Sequence, residues 1–221
     1  MRTLYFKRFL RLMIGLLLAA LGIYFTIRAN VGLAPWDAFS MGVSMQTGLL
    51  YGDVVVLTGL VIIILDFFLK EKIGFGTILN ARLVGKFTDF FLWLDWIPKM
   101  QSLASGVVLL LTGHVIFCYG CYLYIGAAFG CGPRDSLMVA LGKRLDRFPI
   151  GLVRGLIEGT VLLIGWLLGA KVGIGTVISV FGISSIMQAI FRVLRFNVKA
   201  VSHESIPDTV RNLLLSQNER N

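Results

Sequence analysis

The six residues GLAPWD at 32–37 return as GCGPRD at 130–135, 98 residues further along the chain. Each copy has a glycine, a proline three residues later and an aspartate two residues beyond the proline. Each copy also follows a long apolar run and precedes a short amphipathic stretch. We call this pattern the GxxPxD segment. Its recurrence predicts that the chain is built from two related halves.

The residues around these segments are too apolar for a water-soluble domain. Of the 221 residues, 57% are hydrophobic and 15% are charged, whereas a soluble domain carries about 25% charged residues. A run of about 20 apolar residues spans a hydrocarbon core, and about six such runs predict an all-α polytopic membrane protein in a lipid bilayer. The strong runs are 9–27, 52–69, 106–129 and 151–170, and the weaker, partly polar ones are 73–94 and 173–194.

The basic residues of the connecting segments are distributed asymmetrically, which predicts cytoplasmic N- and C-termini by the positive-inside rule. If the N-terminus is cytoplasmic, the other side of the membrane receives only Arg28, Lys99 and Lys171. The net charge of +9 is explained by this bias, so we predict no nucleic-acid partner. The cytoplasmic side receives the remaining loop and terminal cations: Arg2, Lys7, Arg8, Arg11, Lys70, Lys72, Arg134, Lys143, Arg144, Arg147 and those of the tail from Arg192 onward.

The similarity between the two halves extends beyond the GxxPxD segments. Because each unit is predicted to cross the membrane three times, the second unit has the opposite orientation. The sequence therefore predicts two inverted-topology repeats, at 1–100 and 101–195, and a short cytoplasmic tail at 196–221. The glycines that match lie seven residues apart on one helix face, which predicts close helix packing. The matched positions are Gly15 with Gly113, Gly22 with Gly120, and KIGFGT (72–77) with KVGIGT (171–176).

Each GxxPxD segment is predicted to start a short re-entrant or interfacial helix. Pro35 and Pro133 suit the first turn of a helix, where the missing N–H is not needed. Gly32 and Gly130 permit a sharp turn of the chain. The apolar stretch that follows has about half of the 20 residues that a span needs. We interpret these glycines and prolines as structural turns.

The aspartates of the segments have two interpretations. Asp37 and Asp135 fall in the first helical turn, where free N–H groups and the helix dipole stabilise a carboxylate, so both can act as caps. Alternatively they handle a substrate or ion, since irregular backbone at membrane depth is tolerated where it lines a wet cavity. Trp36 in the first copy stands where the second copy has Arg134, and in the second interpretation these side chains set the polarity or charge preference of a pathway.

Ionisable residues inside predicted spans are costly and suggest a function. Arg82, Lys86 and Asp89 share one face of the third span, and Arg154 and Glu158 share one face of the fifth. We expect Lys86 to pair with Asp89, and Arg82 with Glu158. These five residues either hold the bundle together or line a polar pathway with Glu158 as a proton- or cation-coupling acid.

Signatures of catalysis are missing from the sequence. It has no P-loop, dinucleotide fingerprint, HExxH motif or Ser-His-Asp set, so we predict that the protein is not an enzyme. His114, Cys118 and Cys121 share a helix face, but the sequence offers no evident fourth ligand. We therefore predict neither a metal nor a cofactor.

The chain resembles the YczE/YyaS/YitT family of bacterial integral membrane proteins, and most closely its YczE-like branch. This resemblance implies a location in the bacterial cytoplasmic membrane and the repeat architecture, and it assigns no catalytic or binding residues. The stretches that carry it are MRTLYFKRFLR (1–11), ANVGLAPWDAFSMGVS (29–44), KIGFGT (72–77) and GCGPRDSLM (130–138).

Two functions of different classes follow from these features. The first is a small secondary transporter or permease-like protein for an unknown small molecule or ion, with proton or cation coupling. The alternative is a non-transporting accessory protein whose partner is a membrane enzyme or exporter. A transporter keeps a hydrated cavity between its halves, whereas an accessory protein buries its polar residues or presents them to the partner.

Overall fold

The computed structural model describes residues 2–145, 147–148 and 150–218, and every regular element within these residues is helical. The predicted all-α class is thereby confirmed. We refer to α1–α4 as the first half and to α5–α8 as the second half. The helices are α1 (Arg2–Ala29), α2 (Pro35–Thr47), α3 (Tyr51–Phe68), α4 (Phe75–Leu94), α5 (Leu103–Gly126), α6 (Pro133–Arg144), α7 (Ile150–Leu167), α8 (Ile174–Val193) and α9 (Ile206–Asn218), with a 3₁₀ turn at Val198–Ala200.

Within the described residues, four helices are long and apolar enough to cross a membrane. They are Thr3–Ala29, Tyr51–Phe68, Leu103–Gly126 and Ile174–Val193. Each of these helices coincides with a predicted span. α4 and α7 correspond to the other two predicted spans, and their crossing stays a prediction.

Helices α1 and α5 form the central pair of the bundle. Glycines let their backbones approach closely: Gly15 faces Gly120, and Gly22 faces Gly113. A β-carbon at any of these four positions would overlap the backbone of the facing helix. The close packing predicted from the glycine spacing is therefore confirmed. Helix α4 packs on α1, and α8 packs on α5.

Both GxxPxD segments adopt the same backbone conformation. Gly32 has φ of 124° and Gly130 has φ of 119°, in the left-handed region that favours glycine. A short helix then starts at the proline, α2 at Pro35 and α6 at Pro133. The two short helices begin where the segments predict them, and their re-entrant or interfacial placement stays a prediction.

Each GxxPxD segment packs on the KxGxGT loop of the other half. The Gly76 N–H donates a hydrogen bond to the Phe129 carbonyl at 2.7 Å, and the Gly175 N–H donates to the Val31 carbonyl at 2.8 Å. These bonds satisfy N–H groups in the first turns of α4 and α8, which have no partner within their own helix and are costly to leave unpaired in an apolar interior. The irregular backbone of each half is thus stabilised by the other half.

The chain after α8 folds back over one end of the bundle, which we call the tail end. Glu204 accepts a 2.6 Å hydrogen bond from Arg8 of α1 and a 3.3 Å bond from the Tyr5 hydroxyl. The Glu204 N–H donates to the Ala128 carbonyl at 3.0 Å. The tail end therefore includes the first turns of α1 and the loop after α5. The loops after α1, α4 and α7 meet at the opposite end.

Helices α3 and α4 are packed together, whereas α7 and α8 are hardly in contact over their described residues. Gly52 of α3 lies against Gly85 and Asp89 of α4, with no room for a β-carbon. A β-carbon on Gly151 or Gly155 of α7 would meet open space. The bundle is therefore closed between α3 and α4 and open between α7 and α8.

Candidate functional site

A cavity of about 410 Å³ lies between the two halves of the bundle. Both GxxPxD segments line it, with Trp36 and Asp37 from the first segment and Arg134 and Asp135 from the second. The irregular segments thus lie where the sequence predicts them to be tolerated, at the wall of a cavity. Most of the remaining wall is apolar and includes Ile23, Val55, Phe117, Met138, Ile183 and Met187.

The two segments meet at Trp36 and Arg134, which occupy one of the three positions at which their sequences differ. The guanidinium carbon of Arg134 lies 4.9 Å from the centre of the Trp36 ring. A cation over an indole face is attracted by the ring quadrupole. Arg134 Nη1 also lies 4.0 Å from Asp37 Oδ1. Arg134 therefore links its own segment to the equivalent segment of the first half.

The aspartates of the segments are bound by tyrosines. The Tyr51 hydroxyl of α3 donates to Asp37 Oδ1 at 2.9 Å, and the Tyr124 hydroxyl of α5 donates to Asp135 Oδ2 at 3.2 Å. The two sites differ in access, since Asp37 is 7% exposed and Asp135 is exposed towards the cavity. The hydrogen bonds of both carboxylates therefore come from neighbouring helices and not from the first turns of α2 and α6.

Arg154 and Glu158 of α7 form an ion pair at the cavity wall. Arg154 Nε donates to Glu158 Oε1 at 2.8 Å. The expected pair between Arg82 and Glu158 is therefore wrong. Glu158 finds its partner one turn away on its own helix, and Arg82 is exposed and does not line the cavity in the described part of the chain.

Lys86 and Asp89 of α4 make contacts with α3 and lie outside the cavity lining. Lys86 pairs with Asp53 of α3. Asp89 accepts a 2.7 Å hydrogen bond from the Gly52 N–H. The expected pair between Lys86 and Asp89 is therefore wrong, because the close approach of α3 gives each of them an interhelical partner.

Tyr51, Tyr124 and His114 line the cavity, although the sequence does not predict a place for them in a pathway. His114 is 1% exposed, and neither of its ring nitrogens has a hydrogen-bond partner among the described residues. His114 stands alone among apolar residues of its helix, and this isolation could have identified it as a candidate cavity residue. The sequence offers no comparable signal for the tyrosines, because their hydrogen bonds to the aspartates depend on which helices pack together.

The tail also contributes to the cavity wall, through Val198 and His203. Burial lowers the pKa of His203 from its ordinary value. A histidine with a lowered pKa is neutral at pH 7, since the ordinary value is already about 6.5. The tail therefore covers the cavity at the tail end without adding a charge from this residue.

Known proteins of similar sequence support the membrane assignment. A family described as a family of unknown function (DUF6198) matches residues 6–192. The uncharacterized membrane protein YczE of Bacillus subtilis (strain 168) is 31% identical over 167 residues, 75% of this chain and 76% of YczE. The uncharacterized protein YyaS of the same organism is 30% identical over 172 residues, 76% of this chain and 84% of YyaS.

An uncharacterized protein of Haemophilus influenzae is 29% identical over 192 residues, which is 87% of each chain. No solved structure matches the chain. The relatives confirm the predicted resemblance to the YczE-like proteins. Together with the long apolar helices, they make this chain a multi-pass membrane protein.

Proposed function

The chain belongs to the DUF6198 family, and from this premise and the cavity between its halves we propose that it is a small secondary transporter of the bacterial cytoplasmic membrane. The observation that carries the proposal is the cavity lined by both GxxPxD segments. Secondary transporters hold their substrates near the midplane, between repeats, at sites formed by discontinuous helices. The short helices α2 and α6 start at the cavity wall and fit this arrangement.

Two inverted-topology repeats, at 1–100 and 101–195, are supported by contacts that occur twice. If each residue is exchanged for its match in the other half, the contact of Gly15 with Gly120 becomes the contact of Gly113 with Gly22. The two hydrogen bonds between segments and KxGxGT loops are exchanged in the same way. The repeats then meet along α1 and α5, and the tail at 196–221 follows the second repeat.

We place the tail end of the bundle, and with it both termini, in the cytoplasm. This end carries Arg8, Lys143 and Arg144, whereas the opposite end carries Arg28 and Lys171. The positive-inside rule favours this orientation. Helices α4 and α7 complete six spans, three in each repeat.

The unequal packing of the two repeats supports alternating access. Helices α3 and α4 close the bundle through Gly52 and Gly85, towards the opposite end. Helices α7 and α8 leave a gap near Gly151, at the tail end. In the proposed orientation, the cavity is closed towards the outside and opens between α7 and α8 on the cytoplasmic side. The outward-facing state would then exchange the packing of the two helix pairs.

The accessory-protein alternative is less well supported by the position of the polar residues. An accessory protein buries such residues or presents them to its partner. Here Asp135, Arg154 and Glu158 face a cavity inside the protein. The carboxylates among them are the candidates for proton or cation coupling, together with Asp37.

Uptake into proteoliposomes tests the proposal. Comparison of the metabolites of a deletion strain and its parent supplies the candidate substrates, and each is then tested with and without a pH gradient. We expect uptake of one candidate, and we expect its loss in the double variant Asp37→Asn, Asp135→Asn. Asp53→Asn is the matched control, because Asp53 pairs with Lys86 outside the cavity lining.

The possible failures of this experiment are distinct. Full uptake by the double variant would contradict a coupling role for the two aspartates. Absence of uptake of every candidate by the unaltered protein would contradict transport and favour the accessory function. Co-purification of a membrane enzyme or exporter would then support that alternative.

A further inference from the structure

We propose that the cavity binds a small apolar amine in its protonated form, with Asp135 as the counter-ion. The inference rests on the proposed function in taking the cavity as the site of a transported solute. It goes further by naming the chemical class of that solute.

The charges that line the cavity in the described chain do not balance. Three carboxylates, of Asp37, Asp135 and Glu158, face the guanidinium groups of Arg134 and Arg154. Arg154 binds Glu158 at 2.8 Å, and Arg134 lies 4.0 Å from Asp37. Asp135 forms no ion pair with a described residue. Because an unpaired charge in an apolar site is costly, a cation or a proton is its natural partner.

Asp135 has free acceptor capacity and access to the cavity. An ionised carboxylate offers about four lone-pair sites. The described contacts use one of its oxygens, which accepts the Tyr124 hydroxyl at 3.2 Å. The side chain is exposed towards the cavity. An ammonium group can therefore donate to Asp135 without displacing a partner of the carboxylate.

His114 is a second, independent sign that the cavity lacks a ligand. Its imidazole lines the cavity, is 1% exposed and has no hydrogen-bond partner at either nitrogen among the described residues. Buried polar groups in native proteins are nearly always hydrogen-bonded. Ten residues of α5 separate His114 from Tyr124, or about 15 Å along the helix. The cavity therefore extends along α5 from the tyrosine that binds Asp135 to an unsatisfied polar group.

The wall is suited to an apolar cation. Phe117 and Tyr124 contribute aromatic rings to the wall, beside Trp36, whose ring already contacts Arg134, and aromatic faces attract cations. Met138 and Met187 contribute flexible, polarizable side chains that adapt to ligands of different shape. An anion would add a further negative charge to a wall that already has an excess carboxylate. A cavity of about 410 Å³ lies in the range of small-molecule sites.

Protons compete with the amine for Asp135. At low pH the protonated carboxyl group no longer attracts a cation, so amine binding weakens as the pH falls. The titratable and charged groups that face this site are Tyr124 and Cys121 of α5, Cys131 and Arg134 of the segment, Asp37 of α2, Asp66 of α3, Arg154 and Glu158 of α7, and His203 of the tail.

Isothermal titration calorimetry of the purified full-length protein in detergent tests the inference. The probes are 2-phenylethylamine, 3-phenylpropionate and 2-phenylethanol, which have similar shapes and different charges. At pH 8 we expect the amine to bind about tenfold or more tightly than either of the others, because charge-assisted hydrogen bonds are the stronger ones. As the pH falls from 8 to 5 we expect this preference to weaken, because protonation of Asp135 removes its charge. Asp135→Asn removes the preference at pH 8, and Asp53→Asn keeps it.

Tighter binding of the carboxylate, equal binding of the three probes, or absence of amine binding at pH 8 overturns the inference. So does an unchanged amine affinity in Asp135→Asn. Thermal unfolding shows whether that variant folds. If it does not, the direction in which the preference changes between pH 8 and pH 5 in the unaltered protein decides the question, and a preference that does not weaken overturns the inference.

The binding assay and the uptake assay fail independently. Amine binding without uptake of any solute retains this inference and contradicts the proposed transporter. Uptake of another solute by a protein that does not bind the amine retains the transporter and overturns the inference.

Discussion

The helix pairs α3–α4 and α7–α8 hold equivalent places in the proposed repeats, yet the first pair is closely packed and the second is not. Gly52 of α3 matches Gly151 of α7 in sequence. Gly52 is in contact with the Gly85 backbone, whereas a β-carbon on Gly151 would meet open space. The matched glycine therefore permits close helix packing in α3, whereas in α7 no helix packs against it.

The packing around α7 in this structure does not explain why the helix contains so many glycines. Gly151, Gly155 and Gly159 are spaced by four residues on one face, and none of them has a heavy atom near its β-carbon position. A glycine inside a helix costs about 1 kcal/mol relative to alanine. Such a face in a membrane helix is typical of close helix packing. We therefore expect α7 to pack more closely in another state of the protein.

The largest expected effect comes from filling the two matched glycines. Gly52→Val places a branched side chain against the Gly85 carbonyl and Asp89, so we expect a loss of about 1–3 kcal/mol in stability, as in overpacked cores. Gly151→Val meets open space in this structure and should change stability by less than about 0.5 kcal/mol. Thermal unfolding in detergent measures both. Equal losses in the two variants would mean that α7 and α8 are packed like α3 and α4.

Much of the local backbone structure could be predicted from the sequence. The GxxPxD segments predict the turns at Gly32 and Gly130 and the starts of α2 and α6, because proline and glycine act through local backbone geometry. The glycine spacing predicts close-packing faces on α1 and α5 for a similar reason, although not that these two helices pair with each other. Both predictions depend on residues close together in the chain.

The side-chain partners could not be predicted in this way. Lys86 pairs with Asp53 of α3 and not with Asp89 on its own helix, because the approach of two helices decides between partners at similar spacing. Tyr124 reaches Asp135 by the same kind of tertiary contact. The open gap between α7 and α8 is also invisible in the sequence, since a repeat predicts equal packing of the two pairs.

A chemical cross-link tests the gap directly. The ion pair of Asp53 with Lys86 brings α3 and α4 together, and the matched positions in α7 and α8 are Leu152 and Ser185. We expect a short bis-maleimide to join the two helices in the double variant Asp53→Cys, Lys86→Cys. We expect no cross-link in Leu152→Cys, Ser185→Cys without substrate.

Gel mobility after cleavage of the chain between the labelled helices measures the cross-linked fraction. Cys131→Ser is the background, because Cys131 is the partly exposed native cysteine whereas Cys118 and Cys121 are buried. Rapid cross-linking of α7 to α8 in the substrate-free protein would contradict the open gap. Cross-linking that rises when substrate is added would show the closure that alternating access requires.

The smallest expected effect concerns the tail, which follows the second half and has no counterpart after the first. Glu204 pairs with Arg8 at 2.6 Å, with both side chains less than one-fifth exposed. Glu204→Gln removes the charge from this pair and keeps the shape of the side chain. Because ion pairs near a surface contribute about 1 kcal/mol at most, we expect the tail to detach about fivefold more often.

Labelling of Cys131 by a maleimide from the tail end should accelerate by a similar factor, because His203 and Val198 cover the same cavity that Cys131 lines. Lys143→Gln is the matched control, since its pair with Glu71 lies at the same end and does not hold the tail. An unchanged labelling rate in Glu204→Gln, or an equal increase in both variants, would show that the tail does not limit entry to the cavity.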